Sequence, residues 1–253
     1  MKKKLLLLTI AVLCFASFAS ADTFVTYSTR AAQNPTDFID WSQLGPDFLI
    51  SGTTIPTPAL VSSFAGNFAL VGNLNGGDFL RLDEGIGWGG NFDYGENLVW
   101  TGNANLGIGG GGPFGIQLEF PAGSVGFGIQ TDAYGPFTAT VVLYDTSFNV
   151  LGTFTFNGNS FFSEAGDNLF IGIGDTTGVN IGAIAIYSDS GDPTFANDFA
   201  IDDPSFTYST ATPEPSSLVL LGSGLLGLAG VIRRKLVQLR ATLGSASKLA
   251  ATE

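Results

Sequence analysis

The side chains able to do chemistry in this chain are almost all carboxylates. Between Asp22 and Thr210 there are 20 Asp and Glu against two basic residues, Arg30 and Arg81, and the whole chain has no histidine. The single cysteine, Cys14, and the single methionine, Met1, both lie near the N-terminus. Without imidazole there is no base for a Ser-His-Asp triad. Zinc sites built on Cys or His, and a disulfide framework, are excluded with it. Two carboxylates roughly 5–10 Å apart could hydrolyse a glycoside. The available Glu residues are Glu84, Glu96, Glu119 and Glu164, and their spacing singles out no pair. Loop carboxylates could also hold calcium, which takes about six to eight oxygens. Asp175, Asp189, Asp192, Asp198, Asp202 and Asp203 gather in turn-like sequence. Their spacing matches neither an EF-hand loop nor a calcium-binding nonapeptide. Asp202 and Asp203 are the candidate ligands of one structural Ca²⁺, and turn capping is the competing role for all six.

Aromatic residues offer another chemistry. Trp88 and Tyr94 lie in a Gly-rich stretch, GIGWGGNFDY, with Asp and Asn beside them to bond hydroxyls. An exposed ring there would stack on the C–H face of a sugar, so Trp88 and Tyr94 are the candidate glycan contacts. Trp41 and Trp100 read as core residues, because a buried indole removes a large apolar area from water. Gly107–Gly112 fits G-x-G-x-x-G, but Pro113 and a strand follow where a pyrophosphate cradle needs a helix N-terminus. It reads as a loop.

The elements that must position these residues are strands. Apolar and polar residues alternate in Ile116–Phe120 and across Val125, Phe127 and Ile129, and β-branched and aromatic residues fill Phe137–Tyr144. Further strands are expected at Thr23–Ser28, Phe38–Trp41, Phe48–Ile50, Leu98–Trp100, Val150–Phe156, Leu169–Ile173, Ile181–Tyr187 and Phe199–Tyr208. Asp145–Asn149 reads as a hairpin turn, and residues 72–112, rich in glycine, read as long loops. The expected fold is all-β, a jelly-roll-like β-sandwich occupying residues 22–210. Its formal charge of −18 would repel a phosphate backbone, so nucleic acid is not an expected partner.

Both termini carry targeting sequence. Residues 1–21 place Lys2, Lys3 and Lys4 before an apolar run and end in Ala19-Ser20-Ala21, a small-x-small pattern. This is an export signal for the Sec machinery, with cleavage expected between Ala21 and Asp22. Leu13 before Cys14 does not fit a lipoprotein signal. At the other end Pro213-Glu214-Pro215 precedes an uncharged run from Ser216 to Ile232 and then Arg233-Arg234-Lys235. As a helix that run would span about 26 Å, enough to cross a bilayer with slight thinning. The basic cluster would stay cytoplasmic, leaving the β domain outside.

The C-terminal segment resembles the PEP-CTERM sorting signal of Gram-negative bacteria in its Pro-Glu-Pro, its Gly- and Leu-rich span and its basic cluster, in that order. The resemblance implies recognition by an exosortase, a membrane protease-transpeptidase, and cargo that accompanies exopolysaccharide and biofilm production. The chain departs from the pattern in continuing through residues 236–253, read as a cytoplasmic tail. The phrases Ile39–Gly45, Tyr134–Ala139 and Asn197–Ile201 resemble uncharacterised cargo proteins carrying the same signal, and FAIDDPSF looks like the last strand of their jelly rolls. The organisation expected is a signal peptide (1–21), a secreted sandwich (22–210), a sorting signal (211–235) with one membrane helix (216–232), and the tail. The function expected is that of a non-enzymatic surface or matrix protein, binding polysaccharide or self-associating without a ligand, with a carboxylate-based carbohydrate enzyme as the third reading. The exported protein should begin at Asp22 by mass spectrometry. Replacing Pro213, Glu214 and Pro215 together by Ala should leave its C-terminal segment attached.

Overall fold

The structure, a computed structural model, describes residues 23–162 and 166–208. Ala19, Ala21, Asp22, Glu164, the sorting-signal residues and the expected membrane helix 216–232 lie outside the described residues. No helix among the described residues is long and apolar enough to cross a membrane.

The described chain is a sandwich of two antiparallel sheets. The strands run β1 (Phe24–Tyr27), β2 (Asp37–Phe38), β3 (Ala59–Ser62), β4 (Phe68–Asn73), β5 (Leu80–Asp83), β6 (Asn97–Trp100) and β7 (Phe114–Ala122). They continue with β8 (Ser124–Thr131), β9 (Gly135–Tyr144), β10 (Val150–Ser160), β11 (Leu169–Asp175), β12 (Ile181–Asp189), β13 (Phe199–Ile201) and β14 (Ser205–Thr207). One-turn helices α1 (Arg30–Gln33) and α2 (Phe48–Ser51) lie in the early connections. The first sheet has the order β1-β11-β8-β13-β6-β5, with β14 pairing to both β8 and β2. The second has the order β10-β9-β12-β7-β4-β3.

The main core lies between the sheets, and alternation explains much of it. In β9, Phe137, Ala139, Val141 and Leu143 are buried while Thr138, Thr140, Val142 and Tyr144 stand on the other face. Trp41, Phe79 and Phe114 form its aromatic centre, with edge-to-face contacts at 6.4 and 5.4 Å. Asp145 shapes the β9–β10 hairpin by accepting the amides of Ser147 and Asn149, each at 2.8 Å.

A second, smaller core covers the outer face of the first sheet. Leu80, Leu82, Leu98 and Ala200 meet Trp88, Phe92 and Trp100 there. Strands β5, β6 and β13 are therefore covered on both faces. Residues 72–112, expected to be loops, contain β5, whose four-residue alternation Leu80-Arg81-Leu82-Asp83 is flanked by glycines. β3 and β4 ahead of them also escaped expectation.

Two other segments differ from their expected form. Phe48–Ile50 is helical, because Asp47 caps it through the Leu49 amide at 2.6 Å and Gly52 closes it in the left-handed region at φ 66°. Phe38–Trp41 is a strand only up to Phe38. Asp40 then accepts the Ser42 amide at 2.7 Å and starts a 3₁₀ turn over Trp41–Leu44. Phe199–Tyr208 is two strands, β13 and β14, lying end to end along β8 and interrupted at Asp202–Pro204.

Strand β8 organises the first sheet. Its Val125, Phe127 and Ile129 enter the main core, and the opposite face is also buried because Gly126 and Gly128 let neighbours lie on the backbone. A Cβ at Gly128 would come within 2.6 Å of Asp202 Oδ2 and would strike the Asn168 amide. Gly128→Ala should therefore lower stability by about 1–3 kcal/mol, the usual penalty of overpacking. Urea unfolding followed by tryptophan fluorescence measures it, and a loss under about 0.5 kcal/mol would mean that the neighbours move aside freely.

Candidate functional site

The Gly-rich loop between β5 and β6 folds back over the outer face of the first sheet. Trp88 is drawn into the second core, only 7% exposed, with its ring 5.9 Å from that of Trp100. Its indole N–H donates to Gln130 Oε1 at 3.2 Å, and the same oxygen accepts the Asn91 amide at 2.7 Å. Asn91 continues the network, since its Oδ1 accepts the Phe161 amide at 2.7 Å and its Nδ2 donates to Asp167 at 3.1 Å. Gly90 is forced by crowding, because a Cβ there would reach within 2.5 Å of the Trp88 indole nitrogen. Trp88 thus belongs to the core, like Trp41 and Trp100. Tyr94, 69% exposed, lies against Gly85 on the outside of the same loop. The two candidate glycan contacts do not share a face: one ring is packed inward and the other is on the surface.

The polar network ends at a shallow cleft lined by Trp88, Gln130, Asp132, Tyr134 and Phe162. Tyr134 and Phe162 form its rim. They are 75% and 72% exposed, with ring centroids 6.1 Å apart and planes inclined by 29°. The two rings stack on each other in solvent, beside the Gln130 amide and the Asp132 carboxylate. Sequence reasoning missed both. The available signal was the position of Tyr134 directly before Gly135-Pro136, the start of β9, where an aromatic side chain has no core position to fill.

A second concavity lies on the outer face of the second sheet. It is a groove of about 460 Å³ between Leu70, Leu74, Tyr144 and Phe148, floored by Gly115 and Ala183. Its lining is mostly apolar, with Thr57, Asn73, Gln117 and the Tyr144 hydroxyl as the polar groups.

The six turn carboxylates are occupied by protein donors. Asp175 accepts the Thr177 amide, Asp189 the Gly191 amide and Asp192 the Thr194 amide, at 2.8, 2.8 and 2.9 Å. Asp198 accepts Trp100 Nε1 at 2.6 Å and Asn103 Nδ2 at 2.5 Å. Asp202, the first candidate calcium ligand, is buried. It accepts the Gly128 amide on Oδ1 at 2.6 Å and pairs with Arg30 through Oδ2 at 2.8 Å. Asp203, the second, accepts the Trp41 amide at 2.9 Å. Among the described residues no group of three or more acidic side chains converges as a metal site. Both candidate ligands act as clasps between chain segments.

Burial sets the electrostatics. It pushes the Asp198 carboxyl up to about 7 against the opposing hydrogen bonds from Trp100 and Asn103. It pushes Asp203 up to about 7 against the Trp41 amide. It raises Glu96 to about 6, helped by the nearby Asp202 charge. The exposed Asp145 is shifted the opposite way, held low by Asn149.

With this geometry in place, comparison with known proteins adds three findings. Residues 211–235 match the PEP-CTERM protein-sorting motif. No curated protein matches the chain. Among solved structures, the chain is similar to a DUF4465 family protein from Bacteroides caccae, at 10% identity and a TM-score of 0.37, covering 74% of this chain and 100% of that one. The sorting motif marks an exported protein that an exosortase processes at the membrane.

Because Glu96, Asp198 and Asp203 hold protons more tightly folded than unfolded, they stabilise the domain fully below the unfolded carboxylate range near 4. That stabilisation is lost as pH rises through the folded values of about 6 to 7. The urea midpoint should therefore fall between about pH 5 and about pH 8, and Asp198→Asn should flatten the slope.

Proposed function

We propose that the β-sandwich is a non-enzymatic carbohydrate-binding domain, carried to the cell surface or extracellular matrix as exosortase cargo, and that the Tyr134–Phe162 ring pair is its contact with polysaccharide. The observation carrying this reading is the exposure of two stacked aromatic rings at the end of a rigid polar network. Phe38 and Phe64 also stack at the surface, at 5.2 Å; what sets Tyr134 and Phe162 apart is that Gln130 and Asp132 line the same cleft and can bond hydroxyls. The polysaccharide is exopolysaccharide of the kind that accompanies exosortase systems. The Sec machinery and the exosortase are the partners on the way out.

The rival enzymatic reading is weaker because the described Glu residues already have structural work. Glu84 holds the Gly90 amide at 2.7 Å, Glu96 the Asp93 amide at 3.1 Å and Glu119 the Phe68 amide at 3.1 Å. Glu84 and Glu96 lie together at the β5–β6 connection, where the Glu84 amide donates to the Glu96 carbonyl at 3.0 Å, and Glu119 lies in β7.

The test is a glycan array probed with the mature protein and three variants. Tyr134→Ala and Phe162→Ala should each weaken binding roughly tenfold or more, equivalent to losing about 1.4 kcal/mol of ring contact. Both residues are exposed, so stability should change by less than about 0.5 kcal/mol. Tyr144→Ala, in the groove of the other sheet, should leave binding unchanged. Absence of binding to every glycan sinks the proposal, and selective loss in Tyr144→Ala moves the site to the groove. Trp88→Ala is not a clean probe, because deleting a core indole costs about 3–5 kcal/mol of stability.

A further inference from the structure

We propose that β10 is a self-association edge, along which two copies of this chain pair antiparallel and join their second sheets into one. The inference does not depend on the glycan reading. β10 has 11 residues and is the outermost strand of its sheet, paired only with β9 among the described residues. Alternate residues of an edge strand turn both N–H and C=O away from their neighbour, and natural edges are normally blunted by shortness, charge, proline or a covering loop.

The other described edges follow that rule. β1, β3 and β5 have four residues each. On β3, Gln43 takes both exposed groups of Ser62, accepting its amide at 2.7 Å and donating to its carbonyl at 2.9 Å. On β5, Asp47 takes the Asp83 amide at 2.6 Å, and the strand carries Arg81 and Asp83. Among the described residues β10 has comparable protection only at its end, where Asn91 Nδ2 reaches the Asn159 carbonyl at 3.5 Å opposite Pro136. Its one irregularity falls between Val150 and Gly152, leaving Thr153–Ser160 in unbroken register with β9.

Charge selects a second copy as the occupant. The domain carries −18, so two copies repel wherever acidic surface meets acidic surface. β10 reads VLGTFTFNGNS and contains neither charge nor proline. Next to it β9 presents Thr138, Thr140, Val142 and Tyr144, also uncharged. Thr153, Thr155 and Asn157 stand exposed along the edge strand. A two-fold axis near Thr155 would set Thr153–Asn157 of one copy against the same run of the other, which is the self-complementarity an isologous dimer requires. Backbone pairing supplies the affinity, as in strand addition to an open sheet.

Apart from Cys14 in the expected signal peptide the chain contains no cysteine, which permits a direct test in the exported protein. Thr153→Cys, Thr155→Cys, Asn157→Cys and, on the opposite edge, Ser62→Cys are produced separately and oxidised in the exported protein. A disulfide-linked dimer should form at one β10 position and not at Ser62→Cys. In sedimentation of the native mature protein, Thr155→Lys should raise the dimer dissociation constant at least tenfold, with unchanged circular dichroism. A native protein that stays monomeric, or a dimer that links through Ser62→Cys and ignores Thr155→Lys, overturns the proposal.

Discussion

The buried carboxylate of Asp202 is the constraint from which the first sheet is built. Removed from water, it must be met by donors, and two distant segments supply them: Gly128 from β8 and Arg30 from α1. The same residue's carbonyl accepts the Trp41 indole N–H at 2.8 Å, and the next carboxylate holds the Trp41 backbone. Arg30 also donates to the Asp203 carbonyl at 2.6 Å and lies over the Phe170 ring. One short break between β13 and β14 therefore ties together α1, β8, β11 and the 3₁₀ turn that carries the largest core side chain. Gln33 completes it from α1 by bonding Ser124 and Ser205 over the Gly126 backbone. The arrangement works only if β8 has glycine where the polar groups lie on it.

This polar layer explains how so acidic a domain holds a sandwich together. Its carboxylates are spent on amides rather than on cations, because two arginines cannot neutralise twenty acids. Asp37, for example, serves Ser63, Ala65 and Asn67 at the β3–β4 turn. The Ala65 bond satisfies a backbone donor in a loop that would otherwise leave it orphaned, and the other two hold the Ser63 hydroxyl and the Asn67 side-chain amide. Charge that is not used this way stays on the surface, and it leaves uncharged strips, such as the outer face of β9 and β10, as the places where molecules of like charge can meet.

Most long strands were legible because their residues alternate and one face is wet. β7, β9 and the hairpin into β10 stand where the pattern puts them. The misses have separate causes. β5 is only four residues long, and the short alternation Leu80-Arg81-Leu82-Asp83 is hidden in glycine-rich sequence. The apolar triplet Phe48-Leu49-Ile50 looks like a strand until Asp47 and Gly52 are recognised as caps. For the candidate glycan contacts in the Gly-rich loop, which ring faces solvent was not readable. Trp88 and Tyr94 are chemically similar in context, and the difference arises from Trp100 lying across the sheet to receive one of them.

The residues alone determined the route out of the cell, the all-β class and the absence of imidazole and thiol chemistry from the mature domain, because these follow from local composition, period and short contiguous signals. Only the tertiary structure decided which carboxylates are clasps, which aromatics form cores and which pairs, Tyr134 with Phe162 and Phe38 with Phe64, are brought together at the surface. Those outcomes depend on contacts between segments far apart in the chain. Exposure is a property of what covers a residue, and what covers it is not written beside it.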